Sequence, residues 1–317
     1  MNEFNRGTTL TGPVDRPDWL SLLRNHARQH RSAALGLGFA LLGVLVLLVQ
    51  SIAQVASGDS APGLRLAMLG GVAGFLATAL GALPALILRG LPQRLEDSLL
   101  GLAAGMMLAA SAFSLLLPGL DAAALLADSK AMGASIVVVG MALGVLLMLG
   151  LDEFTPHEHD KTGPCGPGHA RCNRIWLFVF AIALHNLPEG MAIGVSFSQG
   201  DFAVGLPLTT AIALQDIPEG LAVALALRGA GFKPGFAVFI AAASGVLEPV
   251  GALLGVGLSS GLPLAYPIGL GLAAGAMLFV VSHEVIPETH RNGHQTPATL
   301  GLMAGFALMM VLDTSLG

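Results

Sequence analysis

Long apolar runs, separated by short polar or Pro- and Gly-rich segments, dominate the chain. Crossing the hydrocarbon core takes about 20 apolar residues in a helix, and residues 33–49 and 131–151 approach or reach that length without a charge. Hydropathy read against the polar breaks predicts nine membrane spans. Their predicted bounds are 33–55, 64–88, 97–118, 131–151, 175–197, 205–227, 235–257, 265–284 and 297–316. The pattern therefore predicts an all-α polytopic membrane protein.

Composition agrees with this prediction, and the basic residues add an orientation. The chain is 54% hydrophobic and 11% charged, whereas soluble domains average about 25% charged residues. The expected partner is a lipid bilayer, with no nucleic acid. When the N-terminus is cytoplasmic, all 15 lysines and arginines except Arg65 and Lys130 fall on the cytoplasmic side, as the positive-inside rule requires. Nine spans then leave the C-terminus outside.

Two similar polar motifs interrupt consecutive apolar spans, HNLPEG at 185–190 and QDIPEG at 215–220. Residues three and four positions apart share one face of a helix, so each motif presents a polar stripe. The first stripe is His185, Asn186 and Glu189, and the second is Gln215, Asp216 and Glu219. A proline precedes each glutamate and removes a backbone donor. The pattern predicts two kinked, polar helices that face each other.

A further carboxylate, Glu248, lies within the span predicted at 235–257. An acid at a membrane helix centre costs roughly 2.5 to 3.5 kcal/mol, and no basic residue lies at that depth to neutralise the group. A divalent cation would offset the charge and use the free lone pairs. Mixed imidazole, amide and carboxylate ligands favour Zn²⁺, Fe²⁺ or Mn²⁺, whereas an all-oxygen cage would favour Mg²⁺ or Ca²⁺.

Two other interpretations of these buried polar residues stay open. A single intramembrane Glu or His is often a structural hydrogen-bonding group between helices, although a repeated Pro-Glu-Gly core makes this less attractive. Clustered carboxylates could also form a proton relay without metal, since close acids favour each other's protonated form. Such a state can coexist with metal binding.

The paired HNLPEG and QDIPEG motifs, the preceding histidine-bearing loop and the following Glu-Pro span closely resemble the ZIP (Zrt/Irt-like) metal transporters, in particular bacterial members. The resemblance covers roughly residues 64–317. It implies an eight-helix core with inverted three-helix repeats around the two motif helices, and commonly a homodimer. Residues 1–32 would be a polar cytoplasmic segment, and residues 33–55 an extra N-terminal transmembrane helix.

The resemblance also implies a two-metal centre near the bilayer midplane. One site would be formed by Met107, His185, Glu189, Gln215 and Glu219, and the adjacent site by Asn186, Asp216 and Glu248 together with the shared Glu189 and Glu219. Many family members carry histidine where this chain has Gln215. That difference weakens the expectation of strict zinc selectivity, so Zn²⁺ and Cd²⁺ are the expected metals, and Fe²⁺ and Mn²⁺ are further candidates.

Three peripheral groups are candidates for metal contact outside the centre. In the cytoplasmic loop 152–174, His157 and His159 are the preferred ligands for collecting or sensing metal, beside His169, Cys165 and Cys172; a solvated linker is the alternative. At the end of the eighth span, an exit site is predicted from His283, Glu284, Glu288 and His290. Asp121 could attract cations at the entrance, or be an ordinary loop acid.

The predicted function is transport of divalent transition metals into the cytoplasm across a bacterial inner membrane. No enzymatic activity and no cofactor beyond the transported or bound metals are expected. An intramembrane metalloprotease is the alternative enzyme class, but the sequence HEVIP has Pro287 where the zinc motif HExxH requires histidine. A metal-dependent membrane sensor is the remaining alternative.

Overall fold

The computed structural model describes residues 19–32, 34–38, 42, 45, 49, 53, 62–154, 157–159, 163–165, 174–259 and 263–316. Most of the span predicted at 33–55, with Cys172 and His169, lies outside these residues. The helices are α1 (Trp19–Gln29), α2 (Pro62–Ala82), α3 (Gln93–Ala110), α4 (Leu117–Ala124), α5 (Lys130–Phe154), α6 (Arg174–Phe197), α7 (Phe202–Gly229), α8 (Pro234–Ser244), α9 (Leu247–Ser259), α10 (Ala265–Val280), α11 (Ile286–Thr289) and α12 (Gln295–Leu316).

Seven helical segments within the described residues are long and apolar enough to cross a membrane. Each of the seven corresponds to a predicted span. In addition to these, α6, which has 24 residues, matches the span predicted at 175–197. Large apolar side chains such as Leu76, Val138 and Leu300 are more than a third exposed. This is the arrangement expected of helices whose outer faces contact lipid. The chain is therefore a multi-pass membrane protein.

One small β-hairpin departs from the all-α prediction. Strand β1 (His157–His159) pairs antiparallel with β2 (Gly163–Cys165), with His157 opposite Cys165 and His159 opposite Gly163. Both strands lie in the polar loop between α5 and α6, and β1 lies against α6. The loop has too few apolar residues to continue a membrane helix, so its backbone groups pair locally instead.

Glycines allow close contact between the helices that carry the polar motifs. Helix α6 packs along α9, and α2 packs along α7. A Cβ atom on Gly190 would overlap the backbone carbonyl oxygen of Glu248, and one on Gly220 would overlap that of Thr78. Only glycine lets the two backbones come this close. Such close packing at small residues is common between membrane helices.

The span predicted at 235–257 is two helices with a break in the middle. Helix α8 ends at Ser244 and α9 begins at Leu247, one residue before Glu248. Pro249 explains the break because it has no N–H to donate to Gly245, four residues earlier, and its ring would collide with that carbonyl. In the first turn of α9 the same proline is tolerated. The break places Glu248 at a helix N-terminus in the middle of the segment Pro234–Ser259.

The prolines inside the two motif helices do not end them. Helix α6 continues through Pro188, and α7 continues through Pro207 and Pro218. Helices α3 and α10 are instead extended by π-helical turns at Ser111–Leu116 and Val281–Val285. A π turn changes the residue spacing along a helix face and is frequent at functional sites.

Candidate metal centre

Three helices bring seven polar side chains together inside the bundle. Helices α6 and α7 contact each other and carry the two motifs near their middles, and α9 begins beside them. The side chains are His185, Asn186, Glu189, Gln215, Asp216, Glu219 and Glu248, none of them more than 4% exposed. The motif spacing predicted the two stripes, and the structure brings them to one place.

The two motifs contact each other directly through their side chains. The Gln215 amide Nε2 donates a 2.5 Å hydrogen bond to Glu189 Oε1, and His185 Nδ1 lies 3.7 Å from Glu219 Oε1. One carboxylate oxygen from each of Glu189, Asp216 and Glu219 lies within 4.8 Å of the others. Carboxylates this close repel each other strongly at low dielectric. The arrangement suits a bound cation.

Helix α2 holds the fourth carboxylate of the cluster, that of Glu248, in place. The Thr78 hydroxyl donates a 2.9 Å hydrogen bond to Glu248 Oε1. A Cβ on Gly74 would overlap Glu248 Oε2 and would lie 3.2 Å from Asp216 Oδ2. Gly74 therefore leaves the space that the Glu248 and Asp216 carboxylates share. Neither Thr78 nor Gly74 was predicted from the sequence, since both lie in an ordinary run of small residues.

Many polar atoms of this cluster have no hydrogen-bond partner among the residues that the structure describes. Such atoms include both ring nitrogens of His185, Asn186 Nδ2, Glu189 Oε2, Gln215 Oε1, both Asp216 oxygens and Glu248 Oε2. Leaving one buried polar group unpaired costs about 1 to 3 kcal/mol. Imidazole nitrogen and carboxylate oxygen are also the ligand atoms that zinc and neighbouring divalent metals take. The side chains of this cluster are therefore suited to bind a divalent metal ion.

Met107 is buried in α3, a helix that packs against α7. Its backbone carbonyl accepts a 2.8 Å hydrogen bond from the Ser111 hydroxyl, at the start of the π turn. Coordination of metal by the Met107 thioether stays a prediction.

A second group of ligand atoms lies beyond His185. His283 Nε2 is 3.7 Å from Asp152 Oδ2, and ligand atoms of Asp152, His283 and Glu284 lie within 4.8 Å of one another. One cavity is lined by His185, Asp152 and Glu284 together with Met148, Leu184, Phe279 and Val280. Residues of the buried centre and of the second group therefore line the same cavity. Asp152 was predicted only as the start of the polar loop.

The other peripheral candidates have different surroundings. Glu288 pairs with Arg291 at 3.1 Å, and His290 Nδ1 lies 2.9 Å from the backbone oxygen of Ile286. Glu284 lies in the π turn at Val281–Val285, whereas Glu288 lies beyond that turn in α11. Asp121 is exposed on α4. Metal contact at Glu288, His290, Asp121 and at His157 and His159 of β1 stays a prediction.

Fold and cluster together define a polytopic membrane protein that buries side chains able to ligate a metal within its helices. Comparison with known proteins gives its family. The profile described as "ZIP Zinc transporter" matches residues 155–313, and Zinc transporter ZIPB of Bordetella bronchiseptica is 65% identical over 92% of this chain and 94% of that protein. Zinc transporter GufA of Myxococcus xanthus is 44% identical over 76% of this chain and 95% of that protein.

The chain belongs to the ZIP transporter family. The resemblance drawn from the paired motifs is thereby confirmed. Because the family consists of transporters, the prediction that the chain is not an enzyme is confirmed as well.

Proposed function

We propose that this protein moves divalent transition-metal ions, Zn²⁺ first among them, across the bacterial inner membrane into the cytoplasm through the cluster between α6, α7 and α9. The observation that carries the proposal is the set of unpartnered ligand atoms buried at mid-span, on both motif helices and on Glu248. The names of the relatives ZIPB and GufA, both zinc transporters, support the choice of metal.

The proposed centre holds two ions side by side. His185 and Gln215 supply ligands on one side, Asn186, Asp216 and Glu248 on the other, and Glu189 and Glu219 bridge between them. Two divalent ions carry four positive charges, which offset the four carboxylates. The broken span supports this arrangement, because the positive end of the α9 dipole faces the Glu248 carboxylate and lowers the cost of its charge at mid-span.

The proposed direction is from the outside, past Asp121, to the centre and then toward Asp152, His283 and Glu284. The cavity between His185 and Glu284 supports the second half of this route. The N-terminus would be cytoplasmic and the C-terminus external. We also propose the inverted three-helix repeats, the extra N-terminal span and the homodimer that the family resemblance implies. Cd²⁺ is a second proposed substrate, because it accepts the same imidazole and carboxylate ligands.

The test is the initial rate of Zn²⁺ and Cd²⁺ entry into liposomes that contain the purified protein. Glu189→Ala and Glu219→Ala should each abolish saturable uptake, while both variants still reconstitute. Asp128→Asn, which changes an exposed acid in the α4–α5 loop, is the matched control and should keep the wild-type rate. Metal bound without any flux in the wild type would instead favour a sensor, and would overturn the proposal.

A further inference from the structure

A separate group of metal-ligating side chains lies where helix α1 contacts the end of α5. His30 N donates a 2.9 Å hydrogen bond to the His26 carbonyl oxygen, so the two histidines are one helical turn apart. Their rings stack with centroids 4.5 Å apart. His26 Nε2 and His30 Nδ1 each lie 3.2 Å from the same oxygen, Glu153 Oε1. Three groups that can ligate a metal thus converge: His26 in α1, His30 directly after the end of α1, and Glu153 in α5.

The chemistry of this group is that of a zinc site. Two histidines four residues apart on one helix can bind a single ion, and two imidazoles with one carboxylate leave a fourth position for water. One ligand atom from each of His26, His30 and Glu153 already lies within 4.8 Å of the other two. Zinc bonds to such atoms are about 2.0 to 2.2 Å long, so small side-chain rotations would accommodate the ion.

We propose that His26, His30 and Glu153 form a divalent transition-metal site, separate from the buried centre, which fastens helix α1 to the end of α5. Hydrogen bonding alone is the competing explanation, because His26 Nε2 also lies 3.1 Å from the Glu153 backbone oxygen and can cap the helix. The Glu153 side chain is 39% exposed and that of His30 is 45% exposed. Contacts between groups this exposed hold a helix only weakly, whereas a shared ion would hold it firmly.

The position of the site gives it a role in regulation, and this part of the proposal rests on the proposed function. Glu153 follows Asp152, whose carboxylate faces His283 beside the cavity that reaches His185. Metal that leaves through the cavity therefore arrives next to the His26, His30 and Glu153 site. Occupancy of this site would couple the docking of α1 to the concentration of released metal.

The experiment measures hydrogen exchange of the backbone amides of residues 24–32 in the full-length protein, with and without Zn²⁺. It uses a Glu189→Ala and Glu219→Ala background, so that binding at the buried centre contributes nothing to the result. Zinc at about 100 times its dissociation constant should slow exchange roughly 100-fold in this segment. Mg²⁺, which has little affinity for imidazole, should not slow exchange.

Matched variants separate the metal site from a hydrogen-bonded contact. The double substitution His26→Ala and His30→Ala should remove the zinc effect and reduce the number of bound Zn²⁺ ions by one per chain. Asn25→Ala with Gln29→Ala, one position earlier on the same helix, should preserve both. The proposal is overturned if zinc leaves the exchange of this segment unchanged, or if its effect survives in the double histidine variant. Either result would leave the liposome experiment unaffected.

Discussion

Gln215 Nε2 donates a 2.5 Å hydrogen bond to Glu189 Oε1, joining the two motif helices inside the membrane. The amide nitrogen carries two protons and cannot coordinate a metal, so only the unpartnered Gln215 Oε1 is free to do so. His185 is then the single imidazole of the cluster. The centre is richer in oxygen than one that carries a second histidine at this position.

Replacing Gln215 with histidine should shift selectivity toward zinc. The new imidazole adds a second nitrogen ligand, which Zn²⁺ favours more than Mn²⁺ does. We expect the ratio of Zn²⁺ to Mn²⁺ uptake to rise about tenfold, measured by competition in liposomes. Gln215→Glu retains an oxygen ligand and should shift the ratio the other way. A shift in the same direction for both variants would contradict this account of the amide.

Thr78→Val should weaken the side of the centre that contains Glu248. Valine has nearly the same shape, but the Glu248 Oε1 atom loses its 2.9 Å hydrogen bond from the hydroxyl. An unpaired buried acceptor costs about 1 to 3 kcal/mol, so the variant should unfold at a lower temperature in detergent when no metal is present. Thr210→Val is the control, because the Thr210 hydroxyl donates to the Leu206 carbonyl of its own helix and not to the Glu248 carboxylate. Equal destabilisation by both variants would argue against a special role for Thr78.

Gly74→Ala should impair transport by displacing a carboxylate. The added methyl group would occupy the position of Glu248 Oε2 and crowd Asp216 Oδ2, so both groups would have to move. We expect zinc uptake to fall by about 10 to 100-fold, with normal amounts of protein in the membrane. Gly229→Ala, whose new methyl group would have no neighbour within 4 Å, should transport normally. Wild-type uptake by Gly74→Ala would show that this space is not needed.

Asp152→Asn and Glu284→Gln should slow release of the metal and leave its binding intact. Both residues line the cavity that leads from His185, so the maximal uptake rate should fall while the affinity of the buried centre stays unchanged. Uptake kinetics and equilibrium zinc binding on the same preparations separate these quantities. Glu288→Gln removes a charge that pairs with Arg291 at 3.1 Å, and we expect a smaller effect. A larger effect at Glu288 than at Asp152 would place the route elsewhere.

The sequence predicted the parts of this structure that depend on local periodicity. Spacings of three and four residues put the motif residues on one face of α6 and α7. Hydropathy located the seven spans that the structure describes in full to within a few residues. The break before Glu248 was missed. The same proline rule applies to Pro188, Pro218 and Pro249, yet only Pro249 is preceded by a break in its span. Which proline a helix tolerates depends on its neighbours in space.

Contacts between distant parts of the chain were equally beyond a single sequence. Thr78 is 170 residues from Glu248, and nothing in the run of small residues around Gly74 and Thr78 marks the hydrogen bond. Asp152 was noted as a loop boundary, and its approach to His283 depends on how α5 packs along α10. The contact between His26 and Glu153 likewise joins residues 127 positions apart.

The central claim is that a divalent ion lies between the two motif helices and is held by their carboxylates. Anomalous X-ray diffraction from crystals grown with Zn²⁺, recorded on both sides of the zinc absorption edge, tests it most directly. The account predicts a zinc peak about 2.0 to 2.2 Å from carboxylate oxygens of Glu189 and Glu219, which disappears in the Glu189→Ala variant. Zinc peaks confined to surface histidines, with none between α6 and α7, would contradict it.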